Sequence, residues 1–81
     1  MQEFCVNNSL IARESERTFF DKRKFRILRF NHSGFAILRK NSSDNFTREG
    51  FSKTCREEGI SDSDANAFWE KCIANAVIVS A

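Results

Sequence analysis

Thr18-Phe19-Phe20-Asp21-Lys22-Arg23-Lys24-Phe25-Arg26-Ile27-Leu28-Arg29-Phe30-Asn31-His32-Ser33-Gly34-Phe35-Ala36-Ile37-Leu38 contains the change of period that decides the fold. Thr18-Phe19-Phe20 is short and apolar, as a strand is, and the charged run 21–24 reads as a turn. The six residues that follow, 25–30, are apolar at four positions. Alternation sends Arg26, Leu28 and Phe30 to one face and Phe25, Ile27 and Arg29 to the other. Neither face is wholly polar, so this strand is expected to carry the core on one side and something partly apolar on the other. At Asn31 the spacing changes. Asn31 or Ser33 caps a helix through residues 34–38 that ends on Arg39-Lys40, where cations suit the negative end of the helix dipole.

Upstream, Leu10-Ile11-Ala12-Arg13 is another short strand, separated from Thr18 by Glu14-Ser15-Glu16-Arg17. The pair predicts an antiparallel hairpin. Downstream lie two more helices. Thr47 caps the first, with Phe46 before it and Phe51 at the fourth helical position in the spacing of a hydrophobic staple. Gly59 suits a left-handed residue at its end. Ser61 caps the last helix, with Asp62 and Asp64 in its first turn. Ala65, Phe68, Trp69, Cys72, Ile73 and Ala76 recur at three- and four-residue spacing, a stripe expected to face the core. Val77-Ile78-Val79 is expected to close the chain as a short extended piece. The expected architecture is α+β and winged-helix-like: three N-terminal antiparallel strands, then three helices packed on one side of the sheet, in a single domain over residues 1–81.

Eighty-one residues allow only a small core. Nine Phe, one Trp and no Tyr suit a chain that must extract much burial from few side chains. No stretch approaches the roughly 18–20 apolar residues of a membrane span. The start, Met1-Gln2-Glu3-Phe4, lacks the basic head and apolar run of a signal peptide, so a cytoplasmic location is expected. Cys5, Cys55 and Cys72 are scattered and read as reduced, mostly buried thiols; with one His they make no metal site. His32 alone supplies no acid–base couple, and three distant Gly build no phosphate-binding loop. The chain is expected to be neither an enzyme nor dependent on a cofactor or metal.

The net charge of +2 hides an asymmetry. Residues 1–40 hold nine Lys/Arg against four Asp/Glu, +5, and residues 41–81 hold four against seven, −3. The base lies on the strands, whereas a winged-helix nucleic-acid binder, the alternative class, needs it on a recognition helix.

In order along the chain, several steps resemble the PqqD-like family, the RiPP recognition elements. Arg13-Glu14 is similar to the Arg-Glu that ends that family's first strand. Phe30-Asn31 stands at its Leu-Asn step and Ser33-Gly34 at its Ser/Thr-Gly helix start. Phe46-Thr47 resembles the opening of its second helix. The spacing of Ala65, Phe68-Trp69, Cys72-Ile73 and Ala76-Val77-Ile78 resembles its last helix, with Ala76 where Gly is usual. The resemblance implies a non-catalytic adaptor that binds the leader segment of a ribosomally made precursor peptide by strand addition. It also implies a modifying enzyme as partner, often a radical SAM protein; separately, the lack of a span leaves no membrane partner expected, and the acid on the helices disfavours nucleic acid. The docking strand would supply Lys24, Phe25, Arg26, Ile27, Leu28 and Arg29. The last helix would supply Asp64, Phe68, Lys71 and Asn75.

Overall fold

The computed structural model describes residues 2–81. Eight elements follow in order: β1 (Phe4–Val6), β2 (Leu10–Arg13), β3 (Thr18–Asp21), β4 (Arg26–Arg29), α1 (His32–Lys40), α2 (Arg48–Glu57), α3 (Asp62–Ala74) and β5 (Ile78–Ser80). The domain is α+β. Its antiparallel sheet has the order β2-β3-β4 and is followed by three helices, an arrangement compatible with the winged-helix-like expectation. Strands and helices are more mixed than expected, however. A second, two-stranded sheet joins β1 to β5, pairing Cys5 with Val79, and β1 also bridges Phe46 through N–H···O bonds of 2.7 and 2.8 Å.

Local chemistry places each helix. Asn31, rather than Ser33, caps α1: its Oδ1 accepts from the N–H of Gly34 at 2.7 Å. Thr47 Oγ1 accepts from Gly50 N–H at 3.0 Å, and Ser61 Oγ from Asp64 N–H at 3.2 Å. The Phe46 and Phe51 rings stack at 6.0 Å, the expected staple. Gly59, at φ 80, ends α2 in a Schellman motif: its N–H donates to Arg56, and the N–H of Ile60 donates to Cys55.

The core lies between β3 and the helices. Phe19, Ile37, Leu38, Phe51, Trp69 and Ile78 are buried in it. On α3 the inward stripe is Ala65, Trp69 and Cys72. Two expected members depart from it. Ile73 is exposed, and Ala76 lies past the helix end at φ 55. Ile73, beside the buried Cys72, lies at the margin of a stripe that the small core covers only along Ala65, Trp69 and Cys72, and the helix has ended at Asn75 before Ala76 is reached. Cys72 and Cys55 are both buried, and burial pushes the Cys72 thiol up to about 12 and Cys55 in the same direction.

Phe25 is not part of β4. It sits at φ 50 in the turn between β3 and β4, so the strand begins at Arg26.

Candidate functional site

The sheet order leaves β4 with a partner on one side only. Thr18 faces Arg29, Phe19 faces Leu28, Phe20 faces Ile27 and Asp21 faces Arg26. One step further, Phe30 N–H donates to the carbonyl of Arg17. In an antiparallel ladder, bonded and non-bonded pairs alternate, so Phe30, Leu28 and Arg26 bond inward to β3. The N–H and C=O groups of Ile27 and Arg29 therefore point away from the sheet. They are the free donors and acceptors of an open edge.

Beside that edge runs a cleft of about 380 Å³, between β4 and the C-terminal half of α3. Ile27, Leu28, Arg29, Phe30 and Asn31 line it from the strand side, and Phe68, Lys71, Cys72, Asn75 and Val77 from the other. Phe30 and Phe68 meet edge to face at 6.2 Å, which holds the two elements together. Gly34 permits this approach. A Cβ there would lie 3.0 Å from Asn31 Oδ1 and 3.4 Å from the Phe68 ring. The polar groups at the rim are partly engaged: Asn31 caps α1, and Asn75 Nδ2 donates to the Lys71 carbonyl at 2.9 Å. Among the described residues, neither Arg29 nor Lys71 makes an ion pair. The cleft thus offers an apolar floor, two cations and an adjoining row of free backbone groups.

Of the ten residues named from sequence, Ile27, Leu28, Arg29, Phe68, Lys71 and Asn75 come together here. The other four do not line this cleft. Asp64 lies in the first turn of α3, on the opposite end of the helix from Lys71 and Asn75. Lys24 and Phe25 belong to the turn. Arg26 turns inward, its Nε 3.8 Å from Asp21 Oδ2. Its partner Asp21 is fully buried and organises that turn: Oδ1 accepts from Arg23 N–H at 3.0 Å and Nε at 3.2 Å, and Oδ2 accepts from Arg23 Nη2 at 3.2 Å. Sequence reasoning missed Asn31, Cys72 and Val77 as lining groups. The Phe30-Asn31 step was the available signal, since a strand running directly into a capped helix must bend around whatever lies beside it.

The described residues contain no helix long and apolar enough to cross a membrane and no cluster of three or more His, Cys, Asp or Glu placed to hold a metal. No family model, no curated protein and no solved structure matches this chain.

Proposed function

We propose that the chain is a non-catalytic adaptor that captures an extended peptide, the leader of a ribosomally made precursor, as a fourth strand on β4 and presents it to a modifying enzyme. The observation that carries this reading is the coincidence of an open edge with a cleft beside it. Strand addition draws affinity from backbone hydrogen bonds and specificity from pockets that take alternate side chains. Ile27 and Arg29 offer the first, and the cleft walled by Phe30, Phe68 and Lys71 offers the second. With Arg29 and Lys71 free of acidic partners, the residue seated between them is an Asp or Glu of the leader. A disordered leader loses conformational entropy on ordering, so the affinity belongs near the micromolar range or somewhat tighter, about −8 kcal/mol.

The test is a titration of a fluorescein-labelled leader, taken from a precursor encoded beside this chain's own gene, alongside a random DNA duplex of similar charge. Saturable leader binding with amide shifts confined to β4 and α3 supports the reading. Tight, strongly salt-dependent duplex binding without leader binding overturns it in favour of the nucleic-acid class, although α3 carries Asp62, Asp64 and Glu70 against Lys71 alone.

A further inference from the structure

Among the described residues, four large apolar side chains are exposed: Ile11, Phe25, Ile27 and Ile73. Three of them share one surface. Ile11, Phe20 and Ile27 form a cross-strand row through the centre of the three-stranded sheet, on the face opposite Phe19 and the core. Phe25 lies against Phe20 with its ring centroid 6.4 Å away and is 83% exposed. Its left-handed backbone is unfavourable for a bulky residue, so the turn holds an aromatic ring in water at a conformational cost. Arg13 and Arg29 flank the apolar row on one side, both facing Thr18. The turn places Lys22 and Lys24 on the other. Among the described residues, Lys22, Lys24 and Arg29 make no ion pair, while Arg13 is bridged to Glu16 at 2.9 Å. The nearby acids are engaged: Asp21 is buried on the opposite face, and Glu14 pairs with Arg39.

We propose that this outer face of the sheet, with Phe25 at its corner, docks on an anionic lipid surface. The chemistry separates lipid from other polyanions. Bases stack on flat open rings, and this face offers one; its remaining exposed apolar groups, Ile11 and Ile27, are aliphatic and gain from hydrocarbon rather than from stacking. Cations around an apolar patch are attracted to anionic headgroups, each by roughly 1 kcal/mol near the surface. A second copy on the same face would set Arg29, Lys22 and Lys24 against their equals, which disfavours self-pairing. The expectation of no membrane partner rested on the lack of a span, which does not bear on a protein that lies on the interface. Ile27 and Arg29 also line the peptide cleft, but Ile11, Lys22, Lys24 and Phe25 do not, so variants at those four test this docking apart from the peptide reading.

The experiment is co-sedimentation of the full chain with phosphatidylglycerol/phosphatidylcholine vesicles and with pure phosphatidylcholine vesicles, at low and physiological salt. A labelled single-stranded DNA 20-mer and sedimentation velocity of the protein alone form two further arms. Binding to the anionic vesicles only is expected. Phe25→Ser should weaken it roughly tenfold, as loss of one inserted aromatic side chain implies. Lys22→Gln with Lys24→Gln should weaken it by about fivefold per cation removed. Lys53→Gln with Arg56→Gln on α2 removes the same net charge and should change nothing. Circular dichroism of each variant shows whether it is folded, and Ile11→Ser replaces Phe25→Ser if the turn is disturbed. The proposal is overturned by no vesicle binding, by equal losses in the α2 and turn variants, by indifference to both Phe25→Ser and Ile11→Ser, by stronger binding to the DNA, or by a dimer that Phe25→Ser dissociates.

Discussion

The Asp21 carboxylate, wholly buried, accepts a side-chain pair of hydrogen bonds from Arg23 two residues on, both at 3.2 Å. That side-chain hydrogen bond is the main reason its pKa lies below the usual carboxylate value; burial pulls the other way, and the Arg23 backbone N–H and charge add to the lowering. The unfolded chain therefore binds the proton more readily than the folded one. Stability from this group is full above the unfolded carboxylate range and is lost as pH falls through the lower folded value. Thermal unfolding of the native chain and of Asp21→Asn between pH 2 and 6 should show the native advantage shrinking below about pH 4. Parallel curves for the two proteins across that range would remove Asp21 as the source.

The end of α3 makes a second prediction. Val77 N–H donates to Cys72 C=O at 2.9 Å and Ala76 N–H to Ile73 C=O at 3.1 Å, a Schellman closure with Ala76 at φ 55. That position favours Gly, which has no Cβ to crowd the carbonyl. Ala76→Gly should raise stability by about 0.5–1 kcal/mol, since relief of the left-handed strain exceeds the added freedom of the unfolded chain. A domain of this size then melts about 2–8 °C higher. A lower melting temperature would show that the Ala76 methyl contributes more by packing than it costs by strain.

Trp69 sits at the centre of the helical layer, 6% exposed, edge-on to Phe4 at 4.8 Å and to Phe51 at 5.1 Å. Its truncation to Ala should cost roughly 3–5 kcal/mol. A domain of this length has roughly 4–12 kcal/mol in total. Far-UV circular dichroism at 25 °C should show much of the helix lost, or a melting temperature lowered by well over 10 °C. Because β1 rests on this ring through Phe4, hydrogen exchange at Cys5 and Val79 should accelerate first if the variant stays folded.

These relationships differ in how legible they are in the sequence. The caps at Asn31, Thr47 and Ser61, the staple and the Gly59 stop rest on neighbours within four residues, so local patterns reveal them. The strand β1 does not show itself. Phe4-Cys5-Val6 is three residues long, and its partner β5 is at the other end of the chain, so only tertiary pairing makes it a strand. Phe25 reads as strand because large apolar residues usually extend, and the buried Asp21 cluster overrides that preference by fixing the turn. Half of the cleft follows from periodicity alone: Phe68, Lys71 and Asn75 lie three and four residues apart, on one face of α3. Asp64 shares that spacing but stands a full turn before β4 comes alongside. Periodicity specifies a face, and only packing specifies how far along it a neighbour runs.

The open edge gives the last prediction, through a contrast between adjacent residues. Ile27 faces Phe20 as a non-bonded pair, so its N–H points outward; Leu28 faces Phe19 as a bonded pair, so its N–H points into the sheet. Proline removes the donor in either case, but with opposite consequences. Ile27→Pro should leave the β3–β4 ladder intact, keep the native circular dichroism spectrum and melt within a few degrees of the native chain. It should weaken leader binding at least about tenfold, through loss of one backbone bond and the pairing geometry around it. Leu28→Pro should instead break the hairpin and destabilise the domain by roughly 3 kcal/mol or more. If Ile27→Pro folds and still binds leader with native affinity, the peptide does not add to β4. If Ile27→Pro unfolds while Leu28→Pro does not, the outward and inward positions are reversed, and the cleft faces the wrong row of backbone groups to receive a strand.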